Sequence, residues 1–321
     1  MNVLKKITAT AVFIAVLMGI LFVTSQLFIP KNNTVEAGVI ENSKMAYRVF
    51  GEKSNSLDVV FVGDSEVFGS FIPLKIWKDY GITSFDLAEG YQKLYQSEDI
   101  LRKVFKNQKP KIVFLETLAI YDDFSSMDAA FYKLEDIFPV FRYHNRWKSL
   151  KAEDFSLQTN YTFTDGCKGY SFNDAVVPAS TEGYMSPCDD VMPISKKCIK
   201  YVERIKKLCE ENGAKLVLVS TPSTANWNSA KHNGIVNLAQ NMGLQYMDMN
   251  LMQNEITIDF NTDSRDGGDH LNNNGALKVS AFMGKYLSDM GIFEDKRQNP
   301  DYQNWNDSLA DYINETGDWI K

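Results

Sequence analysis

The stretch that decides the fold runs from residue 57 to residue 92 and reads LDVVFVGDSEVFGSFIPLKIWKDYGITSFDLAEGYQ. It begins with a short apolar run that Gly63 ends, which indicates a buried strand. Pro73 to Tyr80 has the character of a helix, and Ser84 to Ala88 is the next short apolar run. A strand, a helix and a second strand in this order indicate two parallel strands, because such strands need a crossover connection that is usually a helix.

The same alternation continues along the chain. Further strands are predicted at 111–115, 215–220 and 245–248, with helices between them and a last helix over about 273–290. Residues 120–193 are rich in aromatic residues, Gly, Pro and Asp, and are predicted to be an insertion. The predicted fold class is therefore α/β, with a central parallel sheet of about five strands that helices cover on both faces.

The first thirty residues carry only two charges, Lys5 and Lys6, which precede an uncharged run from Ile7 to Ile29. Such a run is about 34 Å long as a helix, enough to cross a bilayer core of about 30 Å. Lysines before the run favour a cytoplasmic N-terminus. We expect residues 1–30 to be a cytoplasmic tip and single-pass anchor of the cell membrane, with the rest extracellular. A signal peptide cut near Val35-Glu36-Ala37 and a buried core helix are the alternatives.

The remaining divisions follow from composition and charge. Residues 31–56 are polar and are predicted to be a stalk, 57–293 the α/β domain and 294–321 a C-terminal tail.

The 321 residues carry a net charge of −7, so that −9 remains once the +2 of the anchor is removed. An acidic chain lacks the clustered Lys and Arg of a nucleic-acid-binding protein. Its 44% hydrophobic and 23% charged residues are those of a folded globular chain.

The spacing of the four cysteines fits no zinc site. A disulfide is permitted outside the cell, and Cys167 and Cys188 are the expected pair because they share a stretch rich in Gly, Pro and Ser. Cys209 continues the apolar face of a predicted helix and is expected to be a buried thiol. The sequence holds no nucleotide-binding fingerprint and no metal-ligand cluster, so no cofactor and no metal are expected.

Ser65 and His270 are predicted to share one edge of the sheet. In open parallel sheets ligands bind beyond the carboxyl ends of the strands, and Ser65 follows the first strand while His270 precedes the last helix. Serine becomes a nucleophile when a base takes its proton, and a carboxylate must orient that base. Asp266 is favoured for this role, because two glycines before His270 allow a tight turn. Asp269 stays open, although neighbouring side chains often point apart.

An oxyanion would need aimed N–H donors, and the backbone N–H groups of Ser65 and Gly90 are the natural pair. The side chain of Gln92 could add a third donor; its alternative role is that of a helix-capping or surface residue.

Gly-Asp-Ser after a strand is also typical of a plain turn. The run from Asp266 to His270 could equally be a turn with a helix cap, or a calcium loop, although calcium requires several regularly spaced oxygen ligands.

Taken together, Gly63-Asp64-Ser65, Gly90 and Asp266 with His270 resemble the SGNH/GDSL hydrolase superfamily over about residues 57–291. The stretches PKIVFLET, YHNRW, LVLVSTPSTANWN and DGGDHLNNNGALKVS are similar to one branch of it. That branch holds membrane-anchored bacterial envelope proteins such as the teichoic-acid D-alanyl transfer protein and the alginate O-acetylation proteins. The resemblance implies a three-layer, flavodoxin-like fold and catalytic roles for Ser65, Asp266 and His270.

Two departures from the superfamily pattern stand out. Its Gly-x-Asn-Asp after the third strand is replaced by Glu116-Thr117-Leu118-Ala119, so Gln92 would have to replace the Asn as oxyanion donor. The spacing between the Asp and the His is longer by one residue, since Gly267 stands at the expected position.

The resemblance implies an exported serine esterase or O-acyltransferase that acts on O-acyl groups of cell-envelope glycans. Attack of Ser65 on an ester or thioester would give an acyl-enzyme, and a sugar hydroxyl or water would then take the acyl group. The expected partners are a cell-surface glycan or acyl carrier and a multi-pass membrane-bound O-acyltransferase, without nucleic acid. The alternative is a non-catalytic glycan-binding or accessory subunit, whose aromatic-rich insertion would stack on sugars.

Overall fold

The computed structural model describes residues 2–39 and 44–317. Residues 40–43 of the predicted stalk and the end of the predicted tail, 318–321, lie outside the described residues. The chain divides into two compact units. The first unit is formed by Met1–Glu41 and Phe124–Phe163, and the second unit by Asn42–Asp123 and Thr164–Lys321.

A parallel sheet organises the second unit. Within the described residues it has five strands, in the order β2-β1-β3-β4-β5, and all four neighbouring pairs are parallel. The strands are β1 (Val59–Gly63), β2 (Ser84–Ala88), β3 (Ile112–Glu116), β4 (Lys215–Ser220) and β5 (Gln245–Asp248). This is the flavodoxin-like strand order. The predicted α/β fold class with five parallel strands is confirmed.

The helices of the described residues fall between these strands and at the two ends of the chain. They are α1 (Asn2–Phe28), α2 (Lys44–Tyr47), α3 (Ser65–Ser70), α4 (Pro73–Tyr80), α5 (Leu94–Val104), α6 (Leu118–Tyr121), α7 (Ser126–Ile137), α8 (Val140–Tyr143), α9 (Lys196–Glu211), α10 (Ser229–Met242), α11 (Gln253–Ile256), α12 (Asn273–Asp289) and α13 (Gln303–Thr316).

The sheet is buried on both faces, as a parallel sheet requires. Every residue of β1, β2 and β3 is buried. On one face Phe61 and Phe114 stack with ring centroids 5.2 Å apart and join a core with Ile76 of α4 and Met283 of α12. On the other face α5 contacts α9, β1 and β2, and α9 contacts β4. Burial of one such aromatic side chain contributes roughly 1.5–3 kcal/mol.

The predicted C-terminal tail packs as a helix. Trp305 of α13 is buried, and its ring centroid lies 5.4 Å from that of Trp77. The Tyr312 hydroxyl donates to Asn273 Oδ1 over 3.0 Å, which ties α13 to the start of α12. The tail therefore completes the face of the sheet that α4 and α12 cover.

The first unit contains the candidate membrane span. Val3–Phe28 has a mean hydropathy of 2.5, and its most apolar window is not buried. The segment after it differs from the predicted stalk, because Lys31, Asn33 and Val39 are buried. Asn33 Nδ2 donates to the Phe163 carbonyl over 2.6 Å and Asn33 Oδ1 accepts from the Phe163 N–H over 3.0 Å. Only Phe124–Phe163 of the predicted insertion belongs to this unit.

The expected disulfide between Cys167 and Cys188 is absent, since all four cysteines are free. Cys167 lies in a turn that edge strand β2 holds, where the Asp86 N–H donates to the Lys168 carbonyl over 3.0 Å. The carbonyl of Cys188 accepts from Asn233 on α10, the helix that contacts β5 at the opposite edge. The backbone near Cys167 and the backbone of Cys188 are thus held near opposite edges of the sheet. Cys209 is buried, as predicted.

Candidate active site

Ser65 is presented at the carboxyl end of β1 by the Gly63-Asp64-Ser65 turn. Asp64 caps α3, because its Oδ1 accepts from the Glu66 N–H over 3.0 Å, and Ser65 is the first residue of the helix. Gly63 is required here, since a Cβ would lie 2.7 Å from Glu116 Cβ and 2.8 Å from Val67 Cγ2. The turn therefore places the Ser65 hydroxyl at the N-terminus of α3.

His270 is carried by a closed loop before α12. An isolated antiparallel bridge joins Ser264 and Leu271 at its base. Gly267 and Gly268 have φ angles of +79° and +98°, a region that favours glycine. A Cβ on Gly268 would also collide with the Thr224 side chain. The two glycines thus make the tight turn that brings residue 266 back to residue 270.

The structure brings Ser65, His270 and Asp266 into one hydrogen-bonded chain. His270 Nε2 lies 2.7 Å from Ser65 Oγ, and His270 Nδ1 lies 2.6 Å from Asp266 Oδ2. Asp266 Oδ1 also accepts from the backbone N–H of His270 over 2.7 Å. A proton on Nδ1 that is donated to Asp266 leaves Nε2 free to accept from the serine hydroxyl. The Oδ2 of Asp269 is 3.6 Å from Nδ1, beyond hydrogen-bond range.

The two predicted oxyanion-binding residues, Gly90 and Gln92, differ from each other in exposure. Gly90 follows β2 and is exposed. Gln92 is buried, and its Nε2 donates to the Leu87 carbonyl over 3.2 Å and to Ser97 Oγ over 3.0 Å. Both amide hydrogens are engaged, as a buried amide requires. Gln92 is therefore a structural residue between β2 and α5, and the interpretation of its side chain as an oxyanion donor is wrong.

A cleft of about 430 Å³ opens beside Ser65 and His270. It is lined by Asp64, Ser65, Tyr91, Lys93, Leu118, Tyr121, Asp122, Asn226, Lys231, Asp269 and His270. Most of these residues were not predicted from the sequence. Asn226 follows β4, so the same sheet-edge rule that found Ser65 could have found it. Lys231 is on a helix, and its position in the cleft has no signal in the sequence pattern.

Asn226 connects the serine helix to the histidine loop. Its Nδ2 donates to Glu66 Oε1 over 2.9 Å and also to Asp269 Oδ1. In the same loop Ser223 Oγ donates to the carbonyls of Gly268 and Asp269, over 2.9 and 2.8 Å. The loop after β4 therefore helps to fix the position of Ser65 relative to His270.

Three acidic side chains are buried close to Ser65. Burial raises the pKa of Asp64 to about 6, although the Glu66 N–H and His270 act in the opposite direction. Burial, followed by repulsion from Asp64, raises the pKa of Glu66 well above its usual range, and the same two causes raise the pKa of Glu116. At neutral pH Asp64 is therefore mostly ionised, whereas Glu66 and Glu116 favour the neutral form.

One group of potential metal ligands is present among the described residues. Ligand atoms of Glu66, Asp269 and His270 lie within 4.8 Å of one another. Both ring nitrogens of His270 are already engaged with Ser65 and Asp266, and Asn226 bridges the two carboxyl groups. A cation here would have to displace the hydrogen bonds that define the site.

No protein-family model and no curated protein sequence matches the chain. Solved structures with similar folds include a lipase/acylhydrolase from Enterococcus faecalis, at 10% identity and a TM-score of 0.37, over 73% of this chain and 97% of that one. A GDSL-like lipase from Bacteroides thetaiotaomicron matches at 12% identity and a TM-score of 0.35, over 72% and 88%. An acetyl xylan esterase from Butyrivibrio proteoclasticus matches at 10% identity and a TM-score of 0.35, over 76% and 66%. Likenesses at this level do not assign a family.

Proposed function

We propose that this chain is a membrane-anchored serine esterase or O-acyltransferase that acts on short acyl esters of cell-envelope glycans. The observation that carries the proposal is the hydrogen-bonded chain from Ser65 through His270 to Asp266, with successive distances of 2.7 and 2.6 Å. This is the arrangement that activates a serine for acyl transfer.

In the proposed reaction, Ser65 Oγ attacks the ester carbonyl while His270 Nε2 takes its proton. Asp266 stabilises the resulting imidazolium through the bond to Nδ1. The backbone N–H of Ser65, at the start of α3, and that of Gly90 would hold the oxyanion. His270 then protonates the leaving alcohol, which leaves the acyl group on Ser65. A second hydroxyl, or water, attacks this acyl-enzyme with His270 as base, and the free serine is restored.

The lining of the cleft supports a short acyl group on a hydrophilic alcohol. Leu118 is the one aliphatic side chain among the eleven lining residues, so a long acyl chain would find little apolar surface to bury against. Tyr91 stands at the cleft with 85% of its surface exposed and with φ at +58°. An exposed aromatic ring next to the reacting groups offers an apolar face on which a sugar ring can stack.

The proposed location and partner rest on other features. α1 supports an anchor with a cytoplasmic N-terminus and an extracellular catalytic unit, because Lys5 and Lys6 lie in its first turns, before its uncharged apolar run. A multi-pass membrane-bound O-acyltransferase that hands over the acyl group is the proposed partner, and the resemblance of the motifs supports it. Transfer to a glycan hydroxyl is the proposed outcome in that assembly, and hydrolysis the outcome when water takes the place of the acceptor.

The test uses the full chain in mild detergent with a fluorophosphonate probe and with p-nitrophenyl acetate. The exposed Ser288 on α12 provides a matched control. We expect labelling and turnover by the wild type and by Ser288→Ala, and loss of both in Ser65→Ala. Labelling that survives in Ser65→Ala, or a folded wild type that neither reacts with the probe nor cleaves the ester, would refute the esterase assignment and favour an accessory role.

A further inference from the structure

Helix α7 of the first unit carries an exposed apolar stripe. Met127, Phe131 and Ile137 are 79%, 55% and 65% exposed, and Leu134 lies among them with its side chain also exposed. Their spacing of three or four residues places them on one side of the helix. A helix in a water-soluble domain turns such a face toward the core. This helix therefore presents to its surroundings the surface that would normally be buried.

The opposite side of α7 is fixed to the first unit. Ala129 is buried there. Glu135 forms an ion pair with Arg142, whose Nε lies 3.3 Å from Glu135 Oε2. The Arg142 guanidinium also lies over the ring of Tyr132, 4.3 Å from its centroid. Rolling the helix to bury its apolar stripe would break these contacts, so the outward direction of the stripe is built into the unit.

The same part of the unit is attached to the end of α1. The Val140 N–H at the start of α8 donates to Ser25 Oγ over 3.4 Å. Arg146 Nη1 donates to the Phe28 carbonyl, the last residue of α1, over 2.6 Å. Phe28 is where the apolar run of the candidate span ends. The stripe therefore lies in a segment that is held at the end of the one described helix able to cross a bilayer.

Other exposed side chains of the unit have the composition of a membrane interface. Trp147 is exposed, and Lys148 Nζ lies 5.5 Å from its ring centroid. Phe155 and Leu157 are exposed as well. Tryptophan is enriched where a membrane protein meets the headgroup region, and basic side chains extend toward that region from nearby.

We propose that α7 lies in the plane of the membrane interface, with Met127, Phe131, Leu134 and Ile137 inserted among the lipid chains and headgroups. A bilayer is the occupant that the attachment to α1 favours, because the stripe then continues the apolar surface that α1 already offers. Such helices bury their apolar face about 5–10 Å deep. The first unit would thus bind the membrane through two helices, α1 that spans it and α7 that lies at its surface.

The test uses spin labels on the full chain in vesicles of phosphatidylcholine and phosphatidylglycerol. Phe131→Cys and Ile137→Cys report on the stripe, and Asp128→Cys, at an exposed position of the same helix, is the matched control. Cys167 and Cys188 are replaced by Ala, while Cys198 and Cys209 are buried and remain. We expect the labels at 131 and 137 to be accessible to oxygen, which partitions into lipid, and protected from a water-soluble nickel chelate. The label at 128 should be accessible to the chelate.

Labels at 131 and 137 as accessible to the nickel chelate as the label at 128 would overturn the proposal. Protection of the stripe from both oxygen and the chelate would overturn it too, because a second copy of the chain would then cover the helix. Circular dichroism of each labelled protein checks the fold. None of these readouts depends on esterase activity, so the two proposals can fail separately.

Discussion

The sharpest test of the site compares Asp266→Asn with Asp269→Asn. Asp266 accepts two hydrogen bonds from His270, at Nδ1 over 2.6 Å and at the backbone N–H over 2.7 Å. Asparagine keeps an oxygen for the backbone bond, but its NH₂ group faces Nδ1 and favours the tautomer with the proton on Nε2. That tautomer cannot accept the Ser65 proton.

The magnitude follows from the lost interaction. A hydrogen bond to a charged partner is worth about 1.5–3 kcal/mol, or roughly 10- to 150-fold in rate. The wrong tautomer adds to this loss, and removing the charge in a comparable triad costs about 10⁴ in kcat. We expect Asp266→Asn to lower kcat for p-nitrophenyl acetate by about 10² to 10⁴.

Asp269 gives a much smaller expected effect. Its Oδ2 is 3.6 Å from Nδ1 and 47% of its side chain is exposed, so the interaction is a screened Coulomb attraction. At the dielectric constant of water this is about 1 kcal/mol, less than about tenfold in rate. The assay is the kcat of both variants and their rate of fluorophosphonate labelling. A larger loss in Asp269→Asn than in Asp266→Asn would refute the assignment of the triad acid.

Three further predictions concern the surroundings of the triad. The raised pKa of Asp64 means that the unfolded chain ionises first, so stability falls as pH rises from about 4 to about 6. Urea unfolding should show Asp64→Asn to be more stable than wild type by about 3 kcal/mol at pH 8, with no gain at pH 3. Tyr91→Ala should lower kcat/KM about tenfold on an acetylated oligosaccharide and leave p-nitrophenyl acetate unchanged, while Tyr91→Phe behaves as wild type on both. Alanine strains the positive φ at both Gly267 and Gly268, but only a Cβ at 268 also meets Thr224. Gly268→Ala should therefore lose about tenfold more kcat than Gly267→Ala, and equal losses would contradict this account.

The sheet and its functional edge could be predicted because both depend on residues that are close together in the sequence. Short apolar runs, such as the one that Gly63 ends, predict the five strands. The predicted limits of each strand agree with the structure within a residue or two. The rule that ligands meet the carboxyl edge then selected Ser65 and His270, more than two hundred residues apart. The two glycines before His270 indicated the turn that brings Asp266 to the imidazole.

The failures have in common that they depend on contacts between distant segments. The place of Gln92 after β2 predicts a residue at the cleft, but whether its amide points to the cleft or inward depends on Ser97 and the Leu87 carbonyl. The expected pairing of Cys167 with Cys188 rests on composition, which carries no information about which edge of the sheet holds each residue. Asn226 joins Glu66 to Asp269 across three segments, and no pattern within one segment signals such a bridge.

The two-segment construction of the first unit also sets an order of events during synthesis. Asn33 binds Phe163, which is 130 residues later in the chain. At roughly 5–20 residues per second, α1 has left the ribosome for about 6 to 26 seconds before its partner segment is complete. During that interval the stretch Val35-Glu36-Ala37 exists without the later segment of its unit. Once the unit has formed, this stretch lies in a closed turn in which the Gly38 N–H donates to the Val35 carbonyl over 2.8 Å. The unit can therefore close around this stretch only seconds after α1 has been made.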